Sequence, residues 1–137
     1  MQFFYSLLWG QCVDDKFMNQ PLAFIVEDDP AQVEIFTKAL QAAGYDVRTS
    51  VDGREAMEQL GQISPDLIVL DLHLPSADGE RVLARIKHDE RLTKTRILIA
   101  TADGSFASYL RQQVDMILEK PVSYHQLRLL AERLRPL

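Results

Sequence analysis

An α/β domain built on one parallel sheet is predicted by three observations. From residue 20 onward short apolar runs alternate with stretches of helical periodicity. Gly, Pro and Asp punctuate the joints between them. The chain has 137 residues, which suits a single hydrophobic core. Five strands alternating with five helices give a doubly wound arrangement, with helices on both faces of a five-stranded parallel sheet. The division this implies is an N-terminal extension over residues 1–20 and one domain over residues 21–137.

The first strand spans residues 22–27 (LAFIVE) and ends in acid. Pro30 opens a helix with Val33, Phe36 and Leu40 on one face, and Gly44 stops it. Tyr45, Val47 and Thr49 alternate as a half-exposed strand does. A short helix follows with Ala56 and Leu60 inward and Gly61 at its end. Residues 66–71 (DLIVLD) are the most apolar strand, between Pro65 and the acid Asp71. The next helix carries Val82, Leu83 and Ile86. Residues 96–101 (RILIAT) are the fourth strand, followed by a helix with Phe106, Tyr109 and Leu110. A short fifth strand covers 116–119 and is broken by Pro121. The last helix starts at Ser123 with Gln126 three residues on, a capping box, and buries Leu127, Leu130 and Leu134. Strands that are apolar throughout belong at the centre, so the first, third and fourth are central and the alternating second lies at an edge.

The opening residues MQFFYSLLWG lack the positive charge and cleavage site of a signal peptide, and the run is too short to cross a bilayer. Two readings stay open for residues 1–17: an extension whose Phe4, Leu7 and Leu8 dock on the domain or on another copy, or a true start at Met18. The composition, 47% hydrophobic and 26% charged, excludes disorder and membrane classes. A net charge of -5 gives no basic stripe for nucleic acid. Cys12 is the sole cysteine, so no intrachain disulfide forms and a cytoplasmic setting fits. His73, His88 and His125 lack zinc-site spacing.

In open parallel sheets ligands bind at the carboxyl ends of the strands. Those ends carry Glu27-Asp28-Asp29, Asp71, Thr101 and Lys120. Each alone has a plain explanation. Asp29 before Pro30 is a good helix cap, a lone Asp is solvated, a Thr sits in a turn, and a Lys is a surface charge. Together they read differently. Three carboxylates in one crevice repel one another unless a cation neutralises them. An all-oxygen cluster with open positions suits Mg²⁺. A nearby lysine and hydroxyl then serve as phosphoryl ligands, and the set describes aspartyl-phosphate chemistry.

Four motifs, FIVEDDP (24–30), DLIVLDLHLPSADG (66–79), ILIATA (97–102) and EKPV (119–122), make residues 21–135 resemble the bacterial response-regulator receivers. Pro75 lies four residues after Asp71 and Gly79 eight after, as in that family. The resemblance implies a flavodoxin-like strand order 2-1-3-4-5 and a phosphoacceptor, Asp71, served by a partner histidine kinase or histidine phosphotransfer protein. It implies Mg²⁺ held directly by Asp28, by Asp71 and by the backbone carbonyl of His73, with Glu27 acting mostly through water. Lys120 would pair with the phosphoryl oxygens and Thr101 would hydrogen-bond one of them. Ala102 would keep the approach open, and the Lys120-Pro121 peptide bond would be cis. His73 and Asp103 fall where this family tunes phosphate lifetime.

Two departures stand out: Ile117 occupies the switch position, where receivers usually carry Tyr or Phe, and Gln112-Gln113-Val114-Asp115 replaces a glycine-containing turn. Phosphorylation stays plausible, and the usual output switch does not carry over. The implied role is signalling, with only self-catalysed phosphorylation and dephosphorylation. One rival is a Mg²⁺-dependent hydrolase with an aspartyl nucleophile, which often has a second acid where this chain has His73. The other is an interaction module that is not phosphorylated. A homodimer is left open, as are the kinase and the target.

Overall fold

The computed structural model describes residues 20–74 and 78–136. The expected dockings of Phe4, Leu7 and Leu8, the Met18 start and Pro75 lie outside the described residues, as does the side chain of Phe106. Five strands, β1 (Leu22–Val26), β2 (Asp46–Ser50), β3 (Leu67–Asp71), β4 (Arg96–Thr101) and β5 (Met116–Glu119), form one sheet. Its order is β2-β1-β3-β4-β5, and every neighbouring pair is parallel. The apolar strands β1, β3 and β4 are central and the polar β2 lies at an edge, as the residue patterns require. The α-helices are α1 (Pro30–Ala42), α2 (Gly53–Leu60), α3 (Gly79–Lys87) and α4 (Tyr124–Arg133). Two 3-10 helices, Glu90–Leu92 and Phe106–Gln113, complete the crossovers.

Successive side chains of a strand point to opposite faces, so each central strand feeds two cores. Ala23, Ile25, Leu67, Val69 and Leu98 pack with Phe36 and Leu40 of α1 and Leu127 of α4. Phe24, Val26, Ile68, Leu70 and Ile99 pack with Leu60 of α2 and Val82 and Ile86 of α3. The Tyr45 hydroxyl crosses the first core and donates to the Ala131 carbonyl at 2.7 Å. Burial pushes that hydroxyl up to about 12, so it stays protonated and able to donate.

The helix starts are set by side-chain caps. Asp29, Asp52, Asp78 and Ser123 accept from the N–H groups of Ala31, Glu55, Arg81 and Gln126 respectively. Gly44 ends the first crossover with φ +98, a left-handed conformation that glycine adopts without strain.

The helix expected after β4 is present, in a tighter form than the 3.6-residue period. It is a 3-10 helix over Phe106–Gln113 in which Ala107 and Leu110 are buried, whereas Tyr109 is 55% exposed. Three residues per turn bring positions 107 and 110 onto one face and turn 109 outward. The amino-terminal edge of the sheet is pinned by two acids. Asp66 accepts from the Leu22 N–H at 2.8 Å, and Asp115 accepts from the Ile97 N–H at 2.7 Å while pairing with Arg96.

Candidate functional site

The carboxyl edge of the sheet gathers the chemistry, and strand phase explains how. Glu27 continues the phase of Ala23 and Ile25, Asp71 that of Leu67 and Val69, and Lys120 that of Leu118, all in the core beneath α1 and α4. Three side chains from the ends of β1, β3 and β5 therefore converge on one spot. Glu27 and Asp71 are buried, whereas Asp28 is exposed at the rim. Ligand oxygens of Glu27, Asp28 and Asp71 all lie within 4.8 Å of one another.

Lys120 bridges the two buried acids. Its Nζ lies 2.7 Å from Glu27 Oε1 and 3.4 Å from Asp71 Oδ2. Burial raises the Glu27 carboxyl above its usual range, with the Asp71 charge adding to the rise. The Lys120 ammonium and the Asp29 N–H, which donates to Glu27 Oε2 at 3.1 Å, offset part of it. Burial works against the charged form of Lys120, but its hydrogen bond to Glu27 and the nearby Asp71 charge outweigh this and raise its pKa. The lysine therefore enters the site as a cation held between two carboxylates.

The loop after β3 frames Asp71. The His73 N–H donates to Asp71 Oδ1 at 3.1 Å, and the exposed His73 leaves the side toward solvent. Thr101 is fully buried at the end of β4, where its hydroxyl accepts from the Asp103 N–H at 3.3 Å. Its carbonyl accepts from the Lys120 N–H at 2.7 Å, which ties the ends of β4 and β5 together. Ala102 is exposed beside it, and the Lys120-Pro121 bond is cis. Ile117 is half-buried against the α2/α3 core, beside a hollow of about 220 Å³ lined by Gly104, Ser105, Arg111 and Glu119.

The structure thus brings Glu27, Asp28, Asp71 and Lys120 together, puts His73 at their border, and sets Thr101 and Ile117 on the adjoining strands. Asp29 separates from the cluster: its side chain caps α1 at Ala31, the plain reading of that residue. The sequence pattern did not reveal that Lys120 is paired with Glu27. The partner is 93 positions away and only strand order brings it near.

A doubly wound sheet in this order, with acids and a lysine at its carboxyl edge, is the flavodoxin-like architecture of signal receivers. A family model described as "Response regulator receiver domain" matches residues 23–132, and the chain belongs to that family. It is 36% identical over 110 residues to the DNA-binding dual master transcriptional regulator RpaA of Synechocystis sp., covering 78% of this chain and 46% of the regulator. The chain spans less than half the length of the first curated relatives it matches.

Among solved structures it resembles the chemotaxis response regulator CheY4 of Vibrio cholerae at 25% identity, with a TM-score of 0.75 and coverage of 85% of this chain and 99% of that one. It also resembles the phosphorylated cyanobacterial phytochrome response regulator RcpA at 29% identity, with a TM-score of 0.69 and coverage of 84% and 91%. Among the described residues no helix is long and apolar enough to cross a membrane.

Proposed function

We propose that this chain is the phosphoacceptor of a two-component relay, taking a phosphoryl group onto Asp71 from a partner histidine kinase or histidine phosphotransfer protein. The observation that carries the reading is the Lys120 ammonium seated between Glu27 and Asp71 within an all-oxygen acid cluster. The resemblance to a phosphorylated response regulator supports it. So do the net charge of -5 and the single cysteine, which suit a cytoplasmic signalling domain that makes no nucleic-acid contact of its own.

The donor set fits Mg²⁺. Hard oxygen ligands within one small cluster, one of them open to solvent at Asp28, are what that ion takes while keeping its waters. Asp28, Asp71 and the His73 carbonyl would hold it, with Glu27 acting through water. When bound, it supplies charge compensation for phosphoryl oxygens approaching a carboxylate.

The chain's own residues do the rest. A carboxylate oxygen of Asp71 attacks phosphorus, the P–N bond of the phosphohistidine breaks, and the leaving imidazole takes up a proton. The His73 N–H holds the other orientation-setting contact, on Asp71 Oδ1. Lys120 exchanges Glu27 for a phosphoryl oxygen, and Thr101 turns its hydroxyl toward another. Ala102 leaves the approach unobstructed.

Acetyl phosphate with Mg²⁺ tests this. One phosphoryl group per chain is expected, none in Asp71→Asn, and almost none in Asp28→Ala. Normal labelling of Asp71→Asn at the same stoichiometry would overturn the assignment.

A further inference from the structure

The amino-terminal edge of the sheet, opposite the acid cluster, carries a groove of about 580 Å³ that phosphoryl transfer does not use. Its charged lining is four cations, Lys87, Lys94, Arg96 and Arg135, against two acids, Asp66 and Asp115. Both acids are engaged, Asp66 on the Leu22 N–H and Asp115 on the Ile97 N–H and on Arg96. Lys87, Lys94 and Arg135 form no ion pair with any described residue. The Gln112-Gln113-Val114-Asp115 turn, one of the two departures from the receiver pattern, forms part of the same wall, and Gln112 and Gln113 are exposed there.

Like charges that line one groove in excess favour an anionic occupant. A plainer role covers part of the set. Lys87 sits in the last turn of α3 and Arg135 just past α4, where cations offset the partial negative charge of a helix end. Lys94 has no such duty, since it follows a 3-10 turn of only three residues. The lining also narrows the kind of anion. No aromatic residue lines the groove, so a nucleobase would find nothing to stack on. A long polyanion such as DNA would extend past the cations over a chain of net charge -5, whereas a short one stays among them. The volume lies in the range of small-ligand sites, roughly 300–1,000 Å³.

We propose that this groove binds a compact polyphosphate anion through Lys87, Lys94 and Arg135, with the Gln112 and Gln113 carboxamides as further donors. Hydrogen bonds from ammonium and guanidinium groups to phosphate oxygens are charge-assisted and stronger than neutral ones. Each contact at an exposed site is modest, and several on one multiply charged anion add up. An inorganic triphosphate and the triphosphate of a nucleotide share this chemistry. The proposal is independent of the phosphoacceptor reading.

The test is a titration of the isotope-labelled full chain with inorganic tripolyphosphate in EDTA, which keeps metal off the acid cluster. Saturable amide shifts are expected at Lys94, Thr95, Gln112 and Gln113. Lys87→Gln with Lys94→Gln, both at exposed positions, should weaken binding roughly five-fold, as loss of two exposed charge contacts does. Lys38→Gln with Arg48→Gln removes the same charge outside the groove and should leave the affinity unchanged. ATP distinguishes the sources: affinity equal to that of tripolyphosphate assigns the site to the phosphate chain alone, and tighter binding assigns it to a nucleotide. Shifts no larger than sulfate gives at equal ionic strength, or equal weakening in the two variant pairs, overturn the proposal. Binding of an oligoglutamate peptide or a short DNA duplex as tight as that of tripolyphosphate overturns it too, because the groove then reads charge alone or takes a nucleic acid.

Discussion

Gly79 lies over the peptide carbonyl of Asp71. A Cβ on residue 79 would stand 2.2 Å from the Asp71 carbonyl oxygen and 2.5 Å from Leu72 Cα. The approach is held by the Gly79 N–H, which donates to the Leu72 carbonyl at 2.9 Å. The start of α3 is thus clamped onto the end of β3, and only glycine permits that distance. The spacing of eight residues between Asp71 and Gly79 is a packing requirement of the acceptor strand.

Gly79→Ala should therefore cost more than about 2 kcal/mol in urea unfolding, as overpacking against backbone does. It should also slow labelling by acetyl phosphate, because relief of the clash moves Asp71. A stability within about 0.5 kcal/mol of the native chain would contradict the clamp.

Lys120 offers a separate test of the charge arrangement. Lys120→Met removes the cation between Glu27 and Asp71 and leaves a buried carboxylate without its partner. Breaking a buried pair in this way costs about 3 kcal/mol. Mg²⁺ should return much of that loss, since a bound cation stabilises the folded state by mass action. The check is urea unfolding of the variant in EDTA and in excess Mg²⁺. An equal loss in both would show that the acid cluster does not take up the ion.

Much of this was legible before any coordinates. The nearly unbroken apolar runs LAFIV, LIVLD and RILIAT placed the central strands, and Asp29 and Ser123 read correctly as caps because capping is local chemistry. What could not be read depends on contacts between distant segments. The pairing of Lys120 with Glu27, the clamping of strand starts by Asp66 and Asp115, and the Tyr45 bond to Ala131 each join residues with no local signal. The 3-10 form of Phe106–Gln113 was missed for a different reason. Its apolar residues suit either helical period, and burial of Ala107 and Leu110 decides between them.

Asp89 gives the domain a pH dependence away from the site. Hydrogen bonds from Arg91 and Arg85 hold its carboxyl down to about 2. The same Arg91 reaches the Leu60 carbonyl at the end of α2 and the Ser64 hydroxyl, so the cluster ties two crossovers together. A native pKa below the unfolded value of 3.8 stabilises the fold above about pH 4, and the contribution fades as pH falls toward 2. Asp89→Asn retains an acceptor for the Arg91 N–H but loses the charge and the Oδ2 acceptor of the Arg85 and Arg91 guanidinium bonds. Its urea midpoint should fall below the native one at pH 6, and the gap should close progressively below pH 4. A gap independent of pH would mean the charge contributes nothing.

The final expectation concerns how a signal leaves the site, and it rests on Asp71 being phosphorylated. Phosphorylation adds roughly -1.5 to -2 charge and strong acceptor oxygens, toward which the Thr101 hydroxyl can turn. In doing so Thr101 gives up the Asp103 N–H that it now accepts from. Ile117 faces the hollow beside Gly104, Ser105 and Arg111, but it has no ring to swing and no hydroxyl to expose. Its β-branch also restricts the side chain to few rotamers. A ligand shifts an equilibrium only through contacts that differ between two states, and here those contacts belong to the loop after β4. Fluoroberyllate with Mg²⁺ should therefore produce large amide shifts at residues 102–106 and only small ones at Ile117. Large shifts centred on Ile117 above a quiet 102–106 loop would place the switch in β5 instead.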